Sequence, residues 1–164
     1  MAKKASGDKG SQKPERRLVA QNRKARHKYE ILETLECGLV LVGSEVKSLR
    51  AGHCSLDEAY GRLKDGEVWL IGCNIPEYTE ANRFNHNPTR PRKLLLHRRE
   101  IRRFAARAME KGLTLVPLEI YFKGSRAKVL MALARGKKLH DKRQAMKKAE
   151  AERAIRRAMF DRRS

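Results

Sequence analysis

Positive charge gathers at the two ends of this chain, and that distribution confines any folded core to the middle. Residues 1–30 carry a net +7 and residues 135–164 a net +8, which leaves +5 on the 104 residues between them. Two basic tails therefore flank a nearly ordinary domain. The middle is long enough for one small domain and no more. Within it, Arg83 to Arg107 holds nine basic residues against the single acid Glu100, so the rest of the middle is slightly negative. The domain therefore has one basic face between two basic arms. A net charge of +20 arranged in several separate clusters suits a polyanionic partner, with nucleic acid first and an anionic membrane surface a distant second.

Composition excludes several other classes. No apolar run approaches the roughly 20 residues of a membrane span, and mean hydropathy is −0.72. The N-terminus is basic but lacks the apolar stretch of a secretory signal, so a cytoplasmic location is expected. Cys37, Cys54 and Cys73 are odd in number and widely spaced, which suits neither a disulfide framework nor a zinc site. The five histidines form no metal-binding pattern, and no glycine-rich phosphate loop is present. Glu33, Glu36, Glu45, Asp57 and Glu58 are the clustered acids a magnesium-dependent nuclease would use, but none of their spacings is diagnostic. His53 and Cys54 are adjacent in sequence and do not face each other as a base and nucleophile must. No enzyme, metal or cofactor is expected.

The order of apolar and breaker residues predicts a mainly β domain with short helices. A half-buried strand runs from Tyr29 toward Leu41, bent near Cys37-Gly38. A short helix follows, capped by Ser44 and stopped near Gly52, with Val46 and Leu49 inward. Residues 58–64 and 67–73 flank Asp65-Gly66 as a hairpin, and Glu77 to Pro91 reads as a long exposed loop. After the brief run Leu94-Leu95-Leu96, the spacing of Ile101, Phe104, Ala105, Ala108 and Met109 predicts an amphipathic helix with an arginine-rich outer face. Leu113 to Phe122 and Arg126 to Ala134 form a second hairpin around Lys123-Gly124-Ser125. Five or six strands with two clear helices favour a closed or partly open small barrel. The chain divides into a disordered basic tail (1–17), a β-barrel domain (18–135) and a basic tail (136–164) that is disordered alone and helical when bound. In that second tail Asp141 caps a polar helix reaching Met159.

Three clusters carry the expected chemistry. Asn22-Arg23-Lys24-Ala25-Arg26-His27-Lys28-Tyr29 joins four cations to an amide and two rings, residues that neutralise phosphate, read a base or sugar edge, and stack on unpaired bases. Arg90, Arg92 and Lys93 close the proline-bearing loop, which would hold their cations out at low entropic cost. Gly136-Lys137-Lys138 and Asp141-Lys142-Arg143 form the third cluster. Aromatic residues make up only 5% of the chain, which favours structured RNA gripped by phosphates and shape over a platform for successive bases.

The strings NRKARHKY (22–29), GSEVKSLRAG (43–52), NPTRPRKLLLH (87–97) and GKKLHDKR (136–143) resemble the SsrA-binding protein (small protein B) family of bacterial trans-translation. The resemblance covers about residues 18–145, in order; His53 departs from a pattern that has a lysine or similar residue after Ala51-Gly52. It implies an oligonucleotide-binding-type β-barrel that binds the tRNA-like domain of transfer-messenger RNA and delivers it to stalled ribosomes, meeting elongation factor Tu through the RNA. It implies an RNA-binding surface that includes Asn22, Arg23 and Lys24, with Glu36 and Tyr60 nearby and Leu94 to Leu96 mixing core packing with contact to the RNA; Arg26, His27, Tyr29, Lys47, Arg50, Arg90, Arg92 and Lys93 complete the expected surface. An acid such as Glu36 in that surface would accept from a base edge or hold a neighbouring arginine in place. The tail residues Gly136, Lys137, Lys138, His140, Asp141, Lys142 and Arg143 would reach the decoding centre and mRNA channel, where His140 could stack on a base. No membrane partner and a monomeric state are expected. A general basic ribosomal or assembly protein is the alternative reading, because composition alone fits both.

Overall fold

The structure is a computed structural model that describes residues 15–81 and 83–161; within the last helix the side chains of His140, Asp141 and Lys142, among others, lie outside the described part. Among the described residues the elements follow in the order β1 (Arg16–Gln21), α1 (Arg23–Lys28), β2 (Tyr29–Leu39), α2 (Gly43–Arg50), β3 (Tyr60–Lys64), β4 (Glu67–Ile71), β5 (Arg92–Leu95), α3 (Arg98–Ala108), β6 (Leu113–Lys123), β7 (Arg126–Gly136) and α4 (Leu139–Asp161). Residues 1–14 of the expected N-terminal tail lie outside the described residues. Arg16 and Arg17, assigned to that tail from the sequence, instead begin β1 by pairing with Lys123 and Phe122 of β6. β1 is held by its ladder to β6 and by Val19 and Ala20 packed on the interior cluster, which carries the two arginines into the sheet.

Every pairing between strands is antiparallel. β6 and β7 form a long hairpin, β7 continues to β2, and Gly38 and Leu39 of β2 pass the ladder to β5. From β5 it runs through β4 to β3, and β3 returns to β6 at Gly61 opposite Leu115, closing a ring of six strands. A Cβ on Gly61 would lie 2.7 Å from the Leu115 Cβ, so only a bare backbone fits where the ring closes. Asp65 (φ 53°) and Gly66 (φ 71°) supply the paired left-handed residues of the β3–β4 hairpin, as the dipeptide predicts.

Two apolar clusters use opposite faces of β6 and β7. Leu70, Leu94, Ile120, Val129, Met131 and Leu133 fill the interior with Leu49 of α2 and Phe104 of α3. Val116, Leu118, Ala132 and Ala134 point outward and are covered by Ala25 of α1. A bulge between Pro117 and Glu119 changes the alternation, so that Leu115 and Ile120 both face inward. Burial on both faces explains why these two strands read as near-continuous apolar runs. The outward alanines let α1 lie close to the sheet.

Some local expectations shift. The N-cap of α2 is Val42, not Ser44; Glu45 at the third helical position accepts from the Val42 backbone N–H at 2.9 Å. Ser44 lies inside the helix and its hydroxyl meets His86 Nδ1 at 2.9 Å. Met109 follows α3 as its C-cap and is 81% exposed, so it is no part of the buried stripe. α4 begins at Leu139, which makes Asp141 its third residue and not its cap.

Candidate nucleic-acid interface

α1 is a six-residue helix, too short to persist on its own propensity. Asn22 fixes it at one end, where its side-chain oxygen accepts from the Ala25 N–H at 3.0 Å and its amide donates to the Leu56 carbonyl at 3.2 Å. At the other end the Lys137 N–H donates to the Lys28 carbonyl at 3.0 Å, and the Lys137 ammonium donates to the Arg26 carbonyl at 3.0 Å. Only Ala25 is buried, so Arg23, Lys24, Arg26, His27 and Lys28 are all presented outward from a rigid base. Lys24 pairs with Asp57 at 3.0 Å, which leaves Arg23, Arg26, His27 and Lys28 without an ion-pair partner among the described residues. Asn22 itself is 5% exposed with both ends of its amide engaged, and it holds the helix that carries the cations.

Half-buried Tyr29 and exposed Tyr60 line one open groove of about 390 Å³ with Lys24, Lys28, Asp57 and Glu58. Two phenol rings beside a basic helix, with Lys28 without an ion-pair partner among the described residues, are suited to an unpaired nucleotide and its phosphate.

Glu36 lies on another part of the sheet, within a mixed-charge patch. It accepts from the Tyr121 hydroxyl and from Lys123 Nζ at 3.3 Å, and Lys128 Nζ stands 3.9 Å away. The Tyr121 hydrogen bond, aided by the two lysines, holds the Glu36 carboxyl below its ordinary range. Burial, with the facing Glu36 carboxylate, pushes the Tyr121 hydroxyl up to about 12. The Arg16 guanidinium lies 4.0 Å over the Tyr121 ring. Glu36 thus has a tyrosine hydroxyl and lysines as its donors, where the sequence predicts a neighbouring arginine. Beside it an open groove of about 760 Å³ is lined by Leu95, His97, Arg126 and Lys128. Lys47 and Arg50 are exposed on α2, against the rings of Tyr78 and Phe122.

The cluster Arg90, Arg92 and Lys93 is not presented as expected. Arg92 is fully buried; its Nε donates to Glu45 Oε1 at 2.9 Å and its remaining bonds go to the carbonyls of Cys73 (2.6 Å), Pro88 (2.9 Å) and Arg90 (3.1 Å). Arg90 grips the same carboxylate through two bonds of 2.7 and 2.6 Å, and Lys93 pairs with Glu67. Burial alone would raise the Glu45 carboxyl, but the Arg90 bonds, the Val42 N–H and the Arg92 charge hold it below its ordinary range. Arg90 and Arg92 are drawn together because one buried carboxylate receives both, and nothing in the linear pattern marks Glu45 as that receiver. Leu94 is likewise in the core, at 2% exposed, whereas Leu95 is 52% exposed; strand alternation, applied to the three leucines, selects it.

At the root of the tail Gly136 pairs with Tyr29, so α4 starts against α1. Lys138, Arg143, Gln144, Lys147 and Lys148 are exposed, and His140, Asp141 and Lys142 have backbone positions in α4 while their side chains lie outside the described part. Among the described residues no group of three or more His, Cys, Asp or Glu converges, and no helix is long and apolar enough to cross a membrane.

A closed antiparallel ring carrying a braced basic helix, an adjoining tyrosine groove and a basic helical arm defines a nucleic-acid-facing β domain. Its particular family is set by likeness: the chain belongs to the SmpB protein family, whose model matches residues 19–161. The SsrA-binding protein of Rhodopirellula baltica is 51% identical over 168 aligned positions, covering 96% of each chain. That of Thermobifida fusca is 55% identical over 163, covering 99% of this chain and all of its own. A solved chain described as "tmRNA-SmpB: a journey to the center of the bacterial ribosome" is 52% identical, with a TM-score of 0.64 over 74% of this chain and 85% of its own.

Proposed function

We propose that the protein is an RNA-binding adaptor of trans-translation: it binds the tRNA-like domain of transfer-messenger RNA and brings that RNA to stalled ribosomes, so that the chain they hold is tagged and released. It works in the cytoplasm as a monomer, without catalysis of its own, and meets elongation factor Tu only through the RNA. The observation that carries this reading is the extent of the family match, which spans residues 19–161, from β1 to the end of α4. The solved relative, described with transfer-messenger RNA and the ribosome, supports both partners.

The geometry supports a division of labour. α1 with Arg23, Lys24, Arg26 and His27, and the Tyr29–Tyr60 groove, grip the RNA. The Glu36–Tyr121–Lys128 patch with Leu95, and the cations Lys47 and Arg50, extend that surface. Asn22 acts by positioning. Of the tail, Gly136, Lys138, His140, Asp141, Lys142 and Arg143 enter the decoding centre and mRNA channel, while Lys137 also caps α1.

The test is a titration with the tRNA-like domain, using elongator tRNA as competitor, at two salt concentrations. Phosphate contacts alone weaken together as salt rises, because each releases a counterion on binding. A preference for the tRNA-like domain that persists at the higher salt is expected. Equal competition with loss of both would point instead to a general ribosomal or assembly role.

A further inference from the structure

The three cysteines fall into two environments. Cys37 is buried alone in the ring interior, and burial pushes its thiol up to about 12. Cys54 and Cys73 lie with their Sγ atoms 3.8 Å apart, Cys73 fully buried and Cys54 half-buried. Their segments are fixed to each other, because Ser55 and Asn74, the residues that follow them, exchange two backbone hydrogen bonds of 2.8 and 3.0 Å. The Arg92 guanidinium donates to the Cys73 carbonyl at 2.6 Å and puts a permanent positive charge beside the pair. The two thiols are within hydrogen-bonding reach of each other, so the proton held on one sulfur faces the other.

We infer that Cys54 and Cys73 form a redox-active pair which hydrogen peroxide converts into an intramolecular disulfide. One thiol loses its proton and its sulfur attacks a peroxide oxygen; the O–O bond breaks, leaving a sulfenic acid, and the departing hydroxide takes up the released proton as water. The second sulfur then attacks the sulfenic sulfur, forming the S–S bond and expelling the hydroxyl group, which leaves as water with the second thiol's proton. Two thiols and one peroxide become one disulfide and two waters. Hydrogen peroxide is small enough for a half-buried site, whereas a bulky disulfide oxidant is not. The bond would staple the segment supplying the Leu56 carbonyl to Asn22 and the Asp57 carboxylate to Lys24 onto the chain leaving β4, so oxidation bears on the base of α1.

The experiment treats the full-length protein with equimolar hydrogen peroxide, then unfolds it in an alkylating reagent and maps the peptides. Two thiols should be lost together, with a peptide linking residues 54 and 73, full return of both thiols with a dithiol reductant, and Cys37 still alkylated. C37A should form the same link at an unchanged rate, and Cys54→Ala should abolish it. Oxidation of all three cysteines at similar rates, sulfinic acid in place of the link, or a link between two molecules would each overturn the inference.

Discussion

Removing the Glu45 carboxylate leaves two guanidinium groups without their shared partner, one of them, Arg92, wholly out of water. Glu45→Ala should destabilise the fold by about 3–5 kcal/mol, the range for breaking a buried ion pair from one side, measured as a shift in denaturant midpoint. The same carboxylate has a pH signature. Its folded pKa is lower than its unfolded one, so its contribution is fully present above the ordinary glutamate value of about 4.5 and is lost as pH falls through the folded value. Glu45→Gln should therefore flatten the acid limb of the stability profile, and an unchanged limb would show that other carboxylates govern it. This triad was half legible in the sequence. The basic residues of the 87–97 string stand out by composition, but whether a cation faces solvent depends on what lies behind it, and Glu45 is forty-five residues away from Arg90 and forty-seven from Arg92.

At the scale of the element, α1 separates presentation from contact. Asn22→Ala removes the cap and the Leu56 bond, and loss of such a cap costs about 1 kcal/mol. It should weaken RNA binding while leaving the salt dependence nearly unchanged, since no phosphate contact is lost. Arg23→Ala with Arg26→Ala should instead reduce the slope of log affinity against log salt by roughly 1.4–1.8, the value for two phosphate contacts. Equal slopes for the two variants would remove this distinction. The cationic string was plain in the sequence and its helix was not: six residues with one buried alanine carry no periodic signal, and the helix exists because Asn22, Ala25 and Lys137 fasten it to distant partners. Lys137 has a further consequence. Lys138→Ala should spare RNA binding and impair tagging of stalled chains, whereas Lys137→Ala should also loosen α1, seen as faster amide exchange there.

For the molecule as a whole, ring closure depends on the contact of β3 with β6. Gly61→Ala drives a methyl group into Leu115 and Met131 and should cost about 1–3 kcal/mol by overpacking, read from thermal unfolding. A variant as stable as the parent would mean that the seam relaxes more readily than its close contacts suggest. The two basic ends also take different parts in the architecture. Arg16 and Arg17 complete an edge of the sheet, while α4 leaves the ring beside α1, so the surface proposed to hold RNA and the arm proposed to enter the ribosome share a single root.

By itself the sequence determined the mainly β class, both hairpins with their turns, the amphipathic α3, the basic character of both ends and the family. Local chemistry fixes these: strand alternation, a dipeptide able to take positive φ, apolar residues at helical spacing, and long strings of matching residues. Only the tertiary structure decided which cations are free. Arg92, Arg90, Lys93, Arg103 and Arg107 are paired with Glu45, Glu67 and Glu33, while Arg23 and Arg26 have no ion-pair partner among the described residues. An ion pair across the ring needs two elements to meet, and the energy that turns a cation inward comes from a carboxylate brought there by folding.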